Sequence, residues 1–405
     1  MTRRRGLILP VVLVLTGLLA LILASFLFHV RAEVAGAQAQ RDAQQARLAA
    51  ESALEEVTYI LRQAKGDSSQ WFDVPDRFRH ALVWSEAFDR DGDPVKKMGS
   101  RKEVLEAGGA PEAWRYSVVA QNLDGLPDTM RYGVTPEASK LNLNTADEAE
   151  LERLLLKLLM DLGVENAPEL LATLLDWLDE DSETRPGGAE DDYYATLDSP
   201  YHAKNGPLTT LEELLFVKGW NAALLYGEDT NRNGILDPNE NDGSTSPPVY
   251  DNGDGILQRG IAPYVTVWTT EPGADGQTKT ARVDLNTAPT IVLAALEGMT
   301  AEAADTIVAL RKTLEPQALL SPDWPVTSGA LDPATYQAIQ EKVTVQPTVF
   351  HVEVVAYGDH TKLARRYEWI VALRGGLPQV LYHRDLTRLG LAWPVDNDEL
   401  LLRGR

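Results

Sequence analysis

Three hydrophobic patterns divide the chain. The first is a block. From Leu7 to Phe28 none of the 22 residues is charged. Roughly 20 apolar helical residues cross a hydrocarbon core, so the block is long enough to span one. Arg3, Arg4 and Arg5 precede it, and basic residues stay on the cytoplasmic side. The rest of the chain is therefore expected outside the cytoplasm. The second pattern is a stripe. Between Arg31 and Gln63 there is no proline and one glycine, Gly36, and Ala46, Ala49, Ala50, Ala53, Leu54, Val57, Ile60 and Leu61 recur at spacings of three and four. That spacing predicts one apolar helical face. A helix running from Leu7 to Gln63 would be about 85 Å long at 1.5 Å per residue.

The third pattern alternates with a period of two. It predicts strands at 114–120 and 129–134, a hairpin of 350–357 and 363–373 about Gly358-Asp359, and a last strand at 379–383. The run at 263–270 also reads as a strand. Between these lie helical stretches, 147–162, 170–178, 289–297 and 301–312, and one more after Thr209-Thr210. Two of them follow a repeat. Leu141-Asn142-Leu143-Asn144-Thr145-Ala146 and Val283-Asp284-Leu285-Asn286-Thr287-Ala288 each run from an apolar extended piece into Asn-Thr, which reads as an N-cap pair. The expected class is α+β: a long N-terminal helix on an antiparallel sheet, with a large helical insertion.

Composition narrows the function. Lys and Arg number 38 against 60 Asp and Glu, a net charge of −22 over 405 residues. Such a surface repels nucleic acid. The second repeat continues into a helix–hairpin–helix pattern, but its hairpin, Gly298-Met299-Thr300, lacks a second glycine to cradle a phosphate, and the first copy carries Glu165 there. DNA binding is the weaker alternative. There is no cysteine, so ordinary cores or metal must hold the fold. The six histidines are scattered, and no nucleophile motif or phosphate loop occurs. No enzyme is expected. The carboxylate-rich run 179–194 and the pairs Asp176/Asp179 and Glu190/Asp191 read as helix ends, caps or further cation ligands.

One stretch carries specific chemistry. From Asp229, the sequence places Asp229, Asn231 and Asn233 at positions 1, 3 and 5 of a loop, Gly234 at 6, Ile235 at 7, Asp237 at 9 and Glu240 at 12. A calcium loop needs oxygen side chains at 1, 3, 5 and 9, a backbone carbonyl at 7, glycine at the sharp turn and glutamate at 12. Every donor is a hard oxygen, which suits calcium over zinc or copper. The flanks do not read as full EF-hand helices. A second run, 251–257, offers Asp251 and Asp254 around Gly253 and Gly255 but lacks the terminal glutamate; it is either a companion site or a turn. Asp89-Arg90-Asp91-Gly92-Asp93-Pro94 reads as a polar turn.

Arg5-Gly6-Leu7 ahead of the apolar block resembles the leader of type IV pilins and type II secretion pseudopilins. The block exceeds the roughly 7–15 apolar residues of a secretory signal peptide; a plain single-span anchor is the other reading. Further on, Asp176-Trp177-Leu178-Asp179, Gly188-Ala189-Glu190-Asp191, Tyr193-Tyr194, Pro207-Leu208 and Glu213-Leu214 with Val217-Lys218-Gly219 together resemble the general secretion pathway protein K family, the large minor pseudopilins of type II secretion. That resemblance implies cleavage by a prepilin peptidase between Gly6 and Leu7, methylation of Leu7, an inner-membrane anchor with a periplasmic domain, calcium in the helical insertion, and partnership with the minor pseudopilins I and J at the tip of the pseudopilus. Most pilins carry glutamate at the fifth mature position; here it is Val11, as in this family. The domains expected are a leader 1–6, a membrane helix 7–28, its amphipathic extension 29–65, sheet 66–140, a helical insertion with the calcium loop 141–262, and a second sheet part 263–405 that includes the repeat at 283–313. The alternative is a different bitopic periplasmic calcium-binding protein.

Overall fold

The computed structural model describes residues 8–64, 66–85, 113–125, 129–161, 163–248, 251–269, 271–272, 279–359, 361 and 363–391. Gly6, Leu7 and the acidic run 89–94 lie outside the described residues. Helix α1, Ile8–Ala64, is 57 residues long and about 85 Å from end to end. Its first half stands free, with Leu9, Leu13, Leu19 and Phe26 all more than half exposed. By length and composition it fits a single-pass membrane anchor. Its second half buries the stripe of Ala46, Ala49, Ala50, Ala53, Val57, Ile60 and Leu61. Four alanines let the helix lie close on the sheet.

That sheet is antiparallel. Its strands are β1 (Ala81–Ser85), β2 (Ala113–Gln121), β3 (Met130–Arg131), β4 (Thr135–Pro136), β5 (Val349–Gly358), β6 (Ala364–Arg374) and β7 (Leu377–Asp385). The main order is β1-β2-β5-β6-β7, with β3 on β2 and β4 on β5. The expected hairpin is present: Val349 faces Ala372 and Tyr357 faces Ala364. Alternation sorts the faces. Trp114, Tyr116 and Val118 of β2, Phe350, Val352 and Val354 of β5, and Tyr367, Trp369 and Val371 of β6 pack with the α1 stripe. The residues between them, among them Gln121, Glu353, Arg366 and Glu368, face the other way.

The helical module covers that other face. Its core runs without a break from Leu141 to Val345, past the boundary expected at 262. Residues 263–267 illustrate why. Instead of joining the main sheet, Val265–Thr266 forms a parallel ladder with Leu141–Asn142, and Val265 and Val267 sink into the helical core. The second repeat does the same, Val283–Asp284 pairing in parallel with Val343–Thr344.

The repeat asparagines are not helix caps. Asn144 is bonded through Oδ1 to the Leu208 amide (2.8 Å) and through Nδ2 to the Leu208 carbonyl (2.9 Å). Asn286 donates to the Leu319 carbonyl and accepts from Trp324 Nε1, both at 2.9 Å. Each amide matches a backbone or indole partner across the core, so it is not available to the next helix. Asp147 caps helix α2 (Glu148–Asp161) instead, accepting from the Glu150 amide at 2.8 Å. The helix expected at 289–297 is a single turn, Thr290–Leu293, and the one after Thr210 is a 3₁₀ helix, Leu211–Phe216, with no side-chain cap. The hairpin residue Met299 is buried and Thr300 caps Ala301–Leu310; this hairpin packs inward.

Asn142 and Asp284 are equivalent residues. Asn142 Oδ1 accepts from the Asn144 amide and Asp284 Oδ1 from the Asn286 amide. Asp284 is fully buried, and burial pushes its carboxyl up to about 6. The folded chain therefore holds a proton that the unfolded chain has already lost above the ordinary aspartate range. Stability contributed here falls as pH rises from about 4 to 6.5, by an amount on the order of 2–3 kcal/mol. Asp284→Asn should flatten that part of the curve. Urea midpoints of wild type and variant at pH 4.5 and 7 measure it; parallel changes in the two proteins would contradict this account.

Candidate metal centre

The loop from Asp229 to Glu240 is built by side chains that bond their own backbone. Asp229 is buried. Its Oδ1 accepts from the Asn233 amide at 2.8 Å and its Oδ2 from the Gly234 amide at 2.9 Å. Asn231 Oδ1 accepts from the Asn233 amide (3.0 Å) and Asn233 Oδ1 from the Ile235 amide (2.7 Å). Arg232 and Gly234 take positive φ, 60° and 72°. At Gly234 a Cβ would lie 2.8 Å from the Gln121 side chain, so glycine serves both the turn and the approach of β2.

The far half folds back on the near half. Asp237 Oδ2 accepts from Asn231 Nδ2 (2.6 Å) and Asn233 Nδ2 (3.0 Å). Glu240 is buried; Oε1 accepts from the Thr230 amide and hydroxyl, and Oε2 from the Asp237 amide. Thus Asp229, Asn231, Asn233, Asp237 and Glu240, chosen by spacing, form one hydrogen-bonded knot, with Ile235 at its turn. The carboxyls of Asp229 and Glu240 are both raised, Asp229 to about 6, chiefly by burial. Glu240 adds to the rise at Asp229 by charge repulsion.

The second run lies beside the first. Asp251 is buried, and its Oδ2 accepts from the Asp242 and Gly243 amides at 2.6 and 2.8 Å. Asp254 is exposed and bonds only within its own turn, to the Ile256 amide and Asn252 Nδ2. Glu228, which spacing did not single out, joins the two runs: it is buried and accepts from the Asn252 amide at 3.2 Å and the Gln258 amide at 3.4 Å. Its position just before Asp229 was the available signal.

The knot is seated on the sheet. Arg366 of β6 is fully buried. It donates to the Asn231 carbonyl (2.5 Å), the Arg232 carbonyl (2.9 Å) and Glu353 Oε1 (2.6 Å). Gln121 of β2 donates to Asp229 Oδ2 at 3.1 Å. Beside this contact a cavity of about 180 Å³ lies between sheet and module, lined by Gln121, Glu137, Glu212, Arg232, Glu353 and Arg384 among others. Arg384 bridges it, donating to Glu368 (2.6 Å) and Glu212 (2.5 Å). Burial alone would raise Glu368, but His351 and Arg384 bring it down to about 2.

A long apolar N-terminal helix that continues onto an antiparallel sheet, with a helical module on the opposite face, defines an α+β protein whose N-terminal helix fits a single-pass membrane anchor. Within the helical module, residues 139–226 match the family model described as type II secretion system (T2SS), protein K. The type II secretion system protein K of Pectobacterium carotovorum subsp. carotovorum is 36% identical over 94 residues, 23% of this chain and 27% of that protein. The chain thus matches about a quarter of that relative's length. A chain of the crystal structure of the GspK-GspI-GspJ complex, from the type 2 secretion system of enterotoxigenic Escherichia coli, shares 13% identity at a TM-score of 0.45, over 86% of this chain and 98% of that one. The family match ends at Tyr226, just before the loop that opens at Asp229.

Arg366 carries a testable consequence. Replacing it leaves Glu353 and two carbonyls without their buried donor. Removing one partner of a buried pair costs roughly 3–5 kcal/mol. Arg366→Met should lower the urea stability by about that amount and raise amide exchange over 229–240. Arg384→Met, at a half-buried site, should cost less. Unchanged exchange in the loop would mean that the sheet does not hold it.

Proposed function

We propose that this protein is a minor pseudopilin of the K type, which caps the periplasmic pseudopilus of a type II secretion system and helps to start its assembly. The observation that carries the reading is the match of residues 139–226 to the protein K family, in a chain whose N-terminal helix has a free apolar half and a sheet-packed half. The role is structural. The prepilin peptidase cuts between Gly6 and Leu7, α1 stays in the inner membrane, and the sheet and helical module lie in the periplasm. The sequence resemblance names the minor pseudopilins I and J as partners. Val11, where most pilins place glutamate, removes the carboxylate that would pair with a neighbouring subunit's N-terminal amine, and the helical module adds bulk that no further subunit would stack upon. Both features suit a tip.

Cross-linking tests this. Cysteines placed one at a time in residues 10–30 should trap partner subunits on one side only. Trapping along the whole filament, as frequent as for the major subunit, would overturn the tip assignment.

Calcium belongs to the same proposal. Asp229, Asn231, Asn233, Asp237, Glu240 and the Ile235 carbonyl would hold it, with Asp251 and Asp254 beside a second ion. The donors fit: all are oxygens, and the crowding of Asp229 and Glu240 within the fold is what a divalent charge relieves. Because Arg366 and Gln121 grip the same loop, the ion would stiffen the seam between sheet and module. Extracellular calcium modules bind with a Kd of roughly 10⁻⁴–10⁻³ M. An ion bound only by the folded state adds about 2.7 kcal/mol at 100 times its Kd. Wild type should therefore melt higher in millimolar calcium than in chelator, and Asp229→Ala or Glu240→Ala should lose most of that difference. Equal melting of wild type in both buffers would remove calcium from this reading and leave the loop a polar turn.

A further inference from the structure

The cavity of about 180 Å³ between sheet and module has one apolar wall. Ile370 of β6 and Tyr382 of β7 are cross-strand partners, and Trp268 of the module meets the Tyr382 ring with centres 5.7 Å apart. All three line the cavity. Trp268 and Tyr382 are half-buried, so the packing of the seam leaves part of each ring uncovered. Arg232, Glu212 and Arg384 also line it, and their side chains stay 25%, 32% and 29% exposed. The cavity therefore has a mouth at that cluster.

The corner at Gly234 is polar and incompletely bonded. Gln121 packs against Gly234, and Arg259 Nη2 donates to the Gly234 carbonyl at 3.0 Å. Both side chains line the cavity. Each buries one atom without a partner: Arg259 Nε, a donor, and Gln121 Oε1, an acceptor. A buried polar atom left unpaired is costly. The charges of the lining decide what would meet these two. Glu353 pairs with Arg366, Glu368 and Glu212 with Arg384, and Glu137 with Lys140. Asp229 is taken up by the amides of its own loop. Among the described residues Arg259 has no carboxylate partner. The lining thus lacks one anion, beside an acceptor that lacks one donor.

We propose that this cavity binds an apolar carboxylate with an N–H group beside it, the chemistry shared by an N-acyl amino acid and the C-terminus of a peptide. The carboxylate lies on Arg259, in a charge-assisted hydrogen bond to Nε. The neighbouring N–H donates to Gln121 Oε1. The apolar side chain runs along Ile370, Trp268 and Tyr382. Strand β6 is two strands from β2, about 10 Å across the sheet, so one residue with its acyl group reaches from the polar corner to the apolar wall. A cavity of about 150 Å³ admits a benzene-sized molecule, and this one is larger. An apolar wall with a few convergent polar groups is the usual build of a small-ligand site. This inference depends neither on the pseudopilin reading nor on calcium.

The test is calorimetric titration of full-length protein in detergent micelles. The probes are N-acetylphenylalanine, its C-terminal amide, and a tetrapeptide that ends in phenylalanine with a free carboxylate. The acid should bind once per chain. The amide should bind about tenfold more weakly, as expected for one lost charge-assisted hydrogen bond. Arg259→Gln should bring the acid down to the affinity of the amide and leave the amide unchanged. If the tetrapeptide binds as the acid does, the site takes chain termini; if only the acid binds, it takes a free small molecule. Either result supports the site. Equal affinity for acid and amide, unchanged affinity of Arg259→Gln for the acid, or no binding of any probe at millimolar concentration would overturn it. The comparison of acid with amide on wild type decides the matter even if Arg259→Gln does not fold.

Discussion

The guanidinium of Arg366 has no route to water, and everything on the far face of the sheet is arranged around that fact. A buried cation must find acceptors in fixed positions. Here they come from two places: Glu353 on the neighbouring strand and the carbonyls of Asn231 and Arg232 in the module. The carbonyls point at β6 only because Asp229, Asn231 and Asn233 bend the chain into successive tight turns. The loop chemistry and the docking of the module are therefore one problem. A change that relaxes the loop withdraws acceptors from Arg366, and a change at Arg366 frees the loop.

The two faces of the sheet are held by different physics. Against α1 the contact is apolar, between small residues on the helix and aromatic and branched residues on the strands. It is non-directional and tolerates small shifts of the helix. Against the module an apolar patch of Val349, Ile370 and Ala372 meets Trp268, and polar, directional contacts are added through Arg366, Gln121 and the Glu368–Arg384–Glu212 chain. Such contacts fix one register. The helix can adjust on one side, while the module is set in a single orientation on the other.

Within the module, two copies of one sequence pattern solve the same local problem. Each uses an Asx turn after a two-residue parallel ladder and an asparagine that bonds across the core. The copies differ at Asn142 and Asp284. That single exchange of amide for carboxyl puts an ionisable group into a site with no water, which makes it a term in the pH dependence of folding.

Sequence alone determined the features whose causes are local. The uncharged block to Phe28, the stripe from Ala46 to Leu61, the period-two strands and the residues of the 229–240 loop were all legible, because periodicity, turn chemistry and donor type act over a few residues. Tertiary structure decided the rest. Residues 263–267 alternate like a sheet strand, yet they pair with Leu141–Asn142, since pairing is chosen by which core the valines enter. Asn144 and Asn286 have the chemistry of caps, yet they bond segments 33 or more residues away. Nothing in the identity of Arg366 marks it as special. It matters because folding buries it opposite a loop more than a hundred residues earlier in the chain.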